Sequence, residues 1–275
     1  MTAEALPRQS QRMKHAFGAL AIGSSLWAGA ALAHAPAQSL AQCIAPLPDT
    51  PDLVQEQAQE WLRHGGGREA HDCLAQADLA LGAYRDAALE YQALSAVPAH
   101  ERKGQADAAE GDADYAEQEA GAWLLAGDGK AAEQAARLAL KRDPSRLGLR
   151  LLLARSLSMQ NDFAGGIAAL GTLPEPGVPG GATDPFLARA LVMRAAAYRQ
   201  LGQNEKGLAD ANQALALEHD NIEALLERGI LEARLARYAE ARHDWDQVIA
   251  LSPDGHAAYL ARQDEAVMDS DPDQN

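Results

Sequence analysis

The sequence predicts an all-α array of paired helices, and three observations support this fold class. Apolar residues make up 47% of the 275 residues, and Ala dominates them, which favours helices because Ala loses no side-chain entropy there. Runs of β-branched residues are few, so an extended sheet is hard to place. Similar amphipathic segments recur about 34 residues apart, as the two that end at His219 and Pro253 illustrate.

Residues 1–37 are predicted to form a secretory signal peptide. A positively charged leader precedes an apolar stretch at 16–33. The small residues Ala31 and Ala33 suit cleavage after Ala33, and Ala35 and Ala37 offer a second possibility. The competing interpretation is an uncleaved membrane anchor, because the stretch is close to the length that spans a bilayer. Its glycines and serines weaken that interpretation, so we expect export to the periplasm or secretion.

The net charge of −15 limits the classes of partner. Binding to nucleic acid depends on Lys and Arg side chains that face phosphates, and an anionic membrane surface attracts the same residues. We therefore expect no nucleic-acid partner. We expect contact with a membrane only if the signal segment is retained.

The only two cysteines, Cys43 and Cys73, are expected to form a disulfide in an oxidising compartment. Two alternatives remain open. The residues that end at Cys43 weakly resemble a lipidation motif, and His64, His71 and Cys73 could supply metal ligands. Neither has a supporting second motif, so we predict no metal site and no cofactor.

The body of the chain is predicted to be a repeat array at 68–268, preceded by an extension at 38–67 that holds one helix at 51–63. Loop insertions are expected near 102–112 and 174–187, a capping helix at 256–268 and a disordered acidic tail at 269–275. Each repeat carries two small residues twelve positions apart. These pairs are Ala75 and Ala87, Ala120 and Ala132, Ala154 and Gly166, Ala195 and Gly207, and Gly229 and Ala241.

This pattern resembles the tetratricopeptide repeat family, in which small residues allow the two helices of a repeat to approach closely. The resemblance covers five aligned units at roughly 68–254. It implies a right-handed α-solenoid of about five helix pairs with a C-terminal capping helix. It also implies a concave surface, lined by the first helix of each pair, that binds a protein or peptide.

The family's register, carried onto this sequence, predicts the residues that line the partner-binding groove. They are Leu151, Arg155, Met159, Arg189, Val192, Arg199, Leu226, Ile230 and Arg234. Because arginines alternate with apolar residues, we expect a peptide with acidic groups or a free carboxylate. The first two units carry Asp72, Gln76, Asp114 and Glu117 instead, which departs from the carboxylate clamp of chaperone-binding members.

We find no catalytic constellation: His-Glu-x-x-His, Gly-x-Ser-x-Gly and a dinucleotide-binding glycine motif are all missing from the sequence. The sequence therefore predicts a non-catalytic periplasmic scaffold or adaptor that mediates protein–protein interactions. The alternative is a membrane-anchored accessory subunit of an envelope assembly complex.

Overall fold

Helix follows helix along the chain, as the alanine-rich composition predicts. The computed structural model describes residues 37, 39–96, 108–173 and 186–270, and the chain in these ranges is helical without strands. The predicted all-α fold class is confirmed. The helices are α1 Leu40–Ile44, α2 Pro51–Arg63, α3 Gly67–Ala80, α4 Tyr84–Ser95, α5 Ala108–Leu125, α6 Gly129–Arg142, α7 Leu147–Met159, α8 Phe163–Leu170, α9 Leu187–Gln200, α10 Asn204–Leu217, α11 Ile222–Arg234, α12 Tyr238–Leu251 and α13 His256–Asp269.

The close approach of paired helices rests on the small residues that recur twelve positions apart. Every alanine at these positions is fully buried. At the glycines there is no room for a side chain, because a Cβ on Gly207 would lie 3.0 Å from the carbonyl oxygen of Ala195. A Cβ on Gly229 would lie 2.5 Å from Nε1 of Trp245. Each pair is therefore held at a distance that only Ala or Gly permits.

The turn inside each pair requires one residue in the left-handed region of backbone conformation. Gly82, Gly127 and Gly202 have φ values of 74°, 76° and 71°. Asn161 and Ala236 occupy the corresponding places in the third and fifth pairs, with φ values of 62° and 60°. The repeated turn makes the geometry of the five pairs alike even where the residue is not glycine.

A disulfide attaches the N-terminal extension to the first pair. It joins Cys43 of α1 to Cys73 of α3, with their Cα atoms 6.1 Å apart, and both residues are fully buried. The bridge spans a sequence separation of 30, for which the chain-entropy model gives a stabilisation of about 3–4 kcal/mol. Neither cysteine is therefore available for lipidation or for a metal, and Nδ1 of His71 contacts Glu90 instead.

The ends of several elements differ from the predicted boundaries. Helix α5 begins at Ala108, inside the insertion predicted at 102–112, and Asp269, predicted to begin the tail, is the last residue of α13. Of the other predicted segments, the signal peptide at 1–37 lies outside the described residues except for Ala37. Most of the loop at 174–187 and the tail beyond Ser270 also lie outside them.

The odd-numbered helices form the inner side of the array. From α5 to α13, each odd-numbered helix contacts the next odd-numbered one as well as its own partner, whereas the even-numbered helices from α4 to α12 pack mainly on odd-numbered helices. The array therefore curves with α5, α7, α9, α11 and α13 on its concave side. Among the described residues, no helix is both long and apolar enough to cross a bilayer.

Two glycines should respond in opposite ways to the same substitution. Gly207→Ala should lower the free energy of unfolding by about 1–2 kcal/mol, because the added methyl would meet Ala195 and Leu231. Gly121→Ala should raise it by about 0.5–1 kcal/mol, because a Cβ there meets nothing within 4 Å and Ala favours helix. Urea unfolding measures both, and equal effects would contradict close packing at Gly207.

Candidate partner-binding groove

The concave side contains a pocket between α7 and α9, to which α8 and α11 also contribute. It has a volume of about 370 Å³, and its apolar lining includes Leu151, Leu152, Val192 and Met193. Polar residues contribute to the same lining. They are Arg155, Ser158, Arg189, Gln200 and Glu223. An apolar lining with a few polar groups is typical of a site that binds a ligand.

Four of the nine residues predicted for the groove line this pocket: Leu151, Arg155, Arg189 and Val192. The other five do not. Met159 lies beyond the lining with 44% of its surface exposed, and Leu226 and Ile230 pack partly buried against the C-terminal core. Arg234 is exposed and donates a hydrogen bond of 3.4 Å to the backbone carbonyl of Arg199.

Arg199, which was predicted to line the groove, is instead paired with a carboxylate of the protein itself. Its guanidinium makes two hydrogen bonds to the carboxylate of Glu227, at 2.6 and 3.2 Å, and both side chains are largely buried. Burial raises the pKa of Glu227, and the hydrogen bonds from Arg199 oppose that shift. The pair joins α9 to α11, so Arg199 holds two units together.

The other buried arginine pairs also lie within the fourth and fifth units. Arg194 forms two hydrogen bonds to Asp210, both at 2.7 Å, and Arg228 binds Asp244 in the same way at 2.6 and 2.7 Å. The two pairs occupy equivalent positions, 34 residues apart, and each joins the two helices of one unit. These arginines are structural.

Arg155 and Arg189 differ from these structural arginines. Both side chains are exposed, and neither forms an ion pair with a carboxylate of the described residues. They are the arginines that line this pocket, and their hydrogen-bonding capacity is available to a ligand there. Glu223 is the acidic residue that shares their pocket.

A second pocket adjoins the first along the groove. Its lining includes Asp114, Glu117 and Gln118 of α5 together with Arg146 and Phe186. The two pockets share Leu151, Leu152 and Arg189. Asp114 and Glu117, two of the residues that depart from the chaperone-binding pattern, therefore lie beside the pocket between α7 and α9.

Several lining residues were not predicted. Leu152 and Met193 follow the predicted Leu151 and Val192 by one position, so they lie outside the register that was used. Ala196 occupies the place of Arg155 in the next unit and lies within that register, but it was not selected. The signal that could have found them is the apolar face shared by α7 and α9. Within the described part of the chain, no group of three or more His, Cys, Asp or Glu side chains could hold a metal ion.

The fold is shared with tetratricopeptide repeat proteins of known structure. The C-terminal part of a TPR repeat-containing protein from Cytophaga hutchinsonii matches 80% of this chain and 81% of its own, with a TM-score of 0.56 at 16% identity. A thermophilic TPR protein from Thermus thermophilus matches 74% of this chain and 100% of its own, with a TM-score of 0.52 at 19% identity.

A chain of the APC/C hetero-tetramer Cut9-Hcn1 matches 82% of this chain but only 42% of its own, with a TM-score of 0.56 at 13% identity. Comparison by sequence finds no matching family model and no matching curated protein. The structural likeness establishes the fold, and the predicted tetratricopeptide-type solenoid is confirmed.

The pair between α9 and α11 should be essential to stability. Glu227→Gln should lower the free energy of unfolding by about 3 kcal/mol, because it leaves the buried charge of Arg199 without a counterion. Replacing both residues with Leu should recover most of that loss. Urea unfolding is the measurement, and a Glu227→Gln variant of unchanged stability would show that the pair does not form.

The matched control is Glu205→Gln. Glu205 pairs with Arg237 at the surface, where both side chains are well exposed. Its loss should change the free energy of unfolding by no more than about 0.5 kcal/mol, since exposed pairs contribute little.

Proposed function

We propose that this protein is an exported, non-catalytic scaffold that binds peptide segments of partner proteins in its concave groove. The observation that carries the proposal is the apolar pocket between α7 and α9, with two arginines at its edge that pair with no carboxylate of the described residues. Arg194, Arg199 and Arg228, by contrast, are each paired with a carboxylate.

The shape of the groove supports a peptide rather than a folded domain as the ligand. The pocket volume of about 370 Å³ accommodates one or two side chains. The odd-numbered helices continue the surface on both sides of the pocket. An extended segment can place one side chain in the pocket while its neighbours lie along the adjacent helices.

The proposed export rests on different observations. The signal-peptide pattern at 1–37 predicts passage through the inner membrane, and the disulfide between Cys43 and Cys73 suits an oxidising compartment. The glycines and serines within the apolar stretch favour cleavage, so a periplasmic scaffold is the function we favour over an anchored subunit.

A selection of peptides from a random library tests the groove. Peptides enriched on the wild-type protein should bind an Ala196→Phe variant at least about tenfold more weakly, because the new ring would fill the pocket that Ala196 lines. Fluorescence anisotropy measures the affinity. The control is Ala209→Phe on the exposed side of α10, which should bind normally. Selected peptides that bind both variants equally well would place the site elsewhere and overturn the proposal.

The intact mass of the protein purified from the cell envelope tests the location. We expect a chain that begins near residue 34–38, with both thiols protected from alkylation until the protein is reduced. A mass that includes residues 1–33 together with the disulfide would favour the anchored subunit. Free thiols on the full-length chain would argue against export.

A further inference from the structure

Helix α13 takes the place of the first helix of a sixth pair. It packs on α12 and α11, and its residues continue the register of α9 and α11 at the same interval of 34. In α9 and α11, one face of the helix is covered by the second helix of its own pair, α10 or α12. Among the described residues, no helix packs on that face of α13, and its side chains are exposed.

The exposed face of α13 contains large apolar side chains. Tyr259 stands where α9 has Leu191 and α11 has Leu225, which are 0% and 1% exposed in their covered pairs. Tyr259 is 61% exposed, and Val267, two turns further along α13, is 65% exposed. Among the described residues, no other large apolar side chain is as exposed as these two. A helix that covered this face would remove both from water, which favours association.

Arg262 supplies a positive charge on the same face. It continues the series of Arg194 and Arg228 at intervals of 34, and each of those two binds an Asp of the second helix through two hydrogen bonds. Arg262 is exposed, donates a hydrogen bond of 2.9 Å to the backbone carbonyl of Pro253 and pairs with no carboxylate of the described chain. Its other N–H groups are therefore available to a carboxylate on a covering helix.

Gln263 determines how closely a covering helix can approach. It occupies the place of the small residues Ala195 and Gly229, on which the close contact within a pair depends. A glutamine side chain keeps a covering helix farther from α13 than α12 is from α11, so fewer atoms come into contact. We therefore expect a reversible association rather than a permanent one.

We propose that the exposed face of α13 binds an amphipathic helix of a partner protein, which completes a sixth pair. The helix carries small residues where it crosses Gln263, a carboxylate that binds Arg262, and apolar side chains that cover Tyr259 and Val267. This surface is separate from the pocket between α7 and α9, so a partner can bind it whether or not the groove is occupied.

Helix α10 is the best template for a probe, because it covers the equivalent face of α9 and carries Asp210 at the required place. Its Gly207 and Ala211 leave room for the side chain of Gln263. Helix α12 is less suitable, because the bulky Trp245 stands in the place of Ala211.

Two peptides with the sequence of residues 203–218 test the inference on the wild-type protein, with fluorescence anisotropy as the measurement. Both carry a covalent staple between positions 205 and 209, which are exposed in α10, because a helix of this length is marginal in isolation. One peptide keeps Asp210 and the other has Asp210→Asn. The first should bind at least about fivefold more tightly, since the second cannot form charge-assisted hydrogen bonds with Arg262.

Three variants of the protein assign the bound peptide to α13. Arg262→Gln should bind both peptides equally weakly. Tyr259→Ser should bind both about fivefold more weakly than the wild type does, and should keep the preference for Asp. The control Arg137→Gln changes an exposed arginine of α6 and should behave like the wild type. All three replaced side chains are exposed, and thermal unfolding verifies that each variant is folded.

The inference would be overturned if the Asp210 peptide showed no saturable binding, or if its advantage over the Asn peptide survived Arg262→Gln. Sedimentation velocity of the wild-type protein tests the other occupant of this face, a second copy of the chain. We expect a monomer. A dimer that Tyr259→Ser dissociates would show that a second copy covers α13, and would overturn the assignment to a partner protein. None of these outcomes depends on the result for Ala196→Phe, which tests the groove.

Discussion

The close approach of two helices at a pair of small residues is the constraint on which the rest of the structure depends. Where Gly207 faces Ala195, even a methyl group would press on a backbone carbonyl. This contact sets the angle and distance within a unit, and five repetitions of it produce an array. Because successive units add at a similar angle, their first helices come together on one side, and that side becomes the groove. Larger side chains, such as the fully buried Tyr91 and Trp245, then fill the space that remains.

Within this array, the arginines divide into two groups according to what the packing leaves beside them. In the last two units, carboxylates of the partner helix or the next unit reach Arg194, Arg199 and Arg228, and burial strengthens these interactions because water is excluded. No carboxylate of the described chain reaches Arg155 and Arg189 in this way. A strongly acidic protein therefore keeps two unpaired arginines in the pocket between α7 and α9.

The fold could be predicted because a spacing of twelve residues between small side chains recurs in all five units, although the residues between them differ. Helix α2 at Pro51–Arg63 could be placed from its amphipathic pattern and the proline at its start. Helix α1 could not, because five residues carry no periodicity and its position depends on the disulfide and on the hydrogen bond from the Leu40 amide to Glu69.

The site was predicted only in part. A repeat register identifies which residues face the groove, and Arg155 and Arg189 were found in this way. The register does not identify which arginines will pair with a carboxylate of the next unit. Arg199 pairs in this way with Glu227, which lies 28 positions further along the chain.

Helix α7 has a consequence for the order in which the chain acquires its structure. Leu153 and Leu157 complete the core that α3 to α6 begin, whereas Leu147 and Leu151 on the same helix belong to the core shared with α8 to α13. As the polypeptide emerges from the ribosome or a translocation channel, the first core is finished once α7 has appeared. The opposite face of α7 is then covered only in part, by α8, until α9 follows. For that interval an incomplete chain displays an apolar strip that the finished protein covers, and a chaperone would encounter it there.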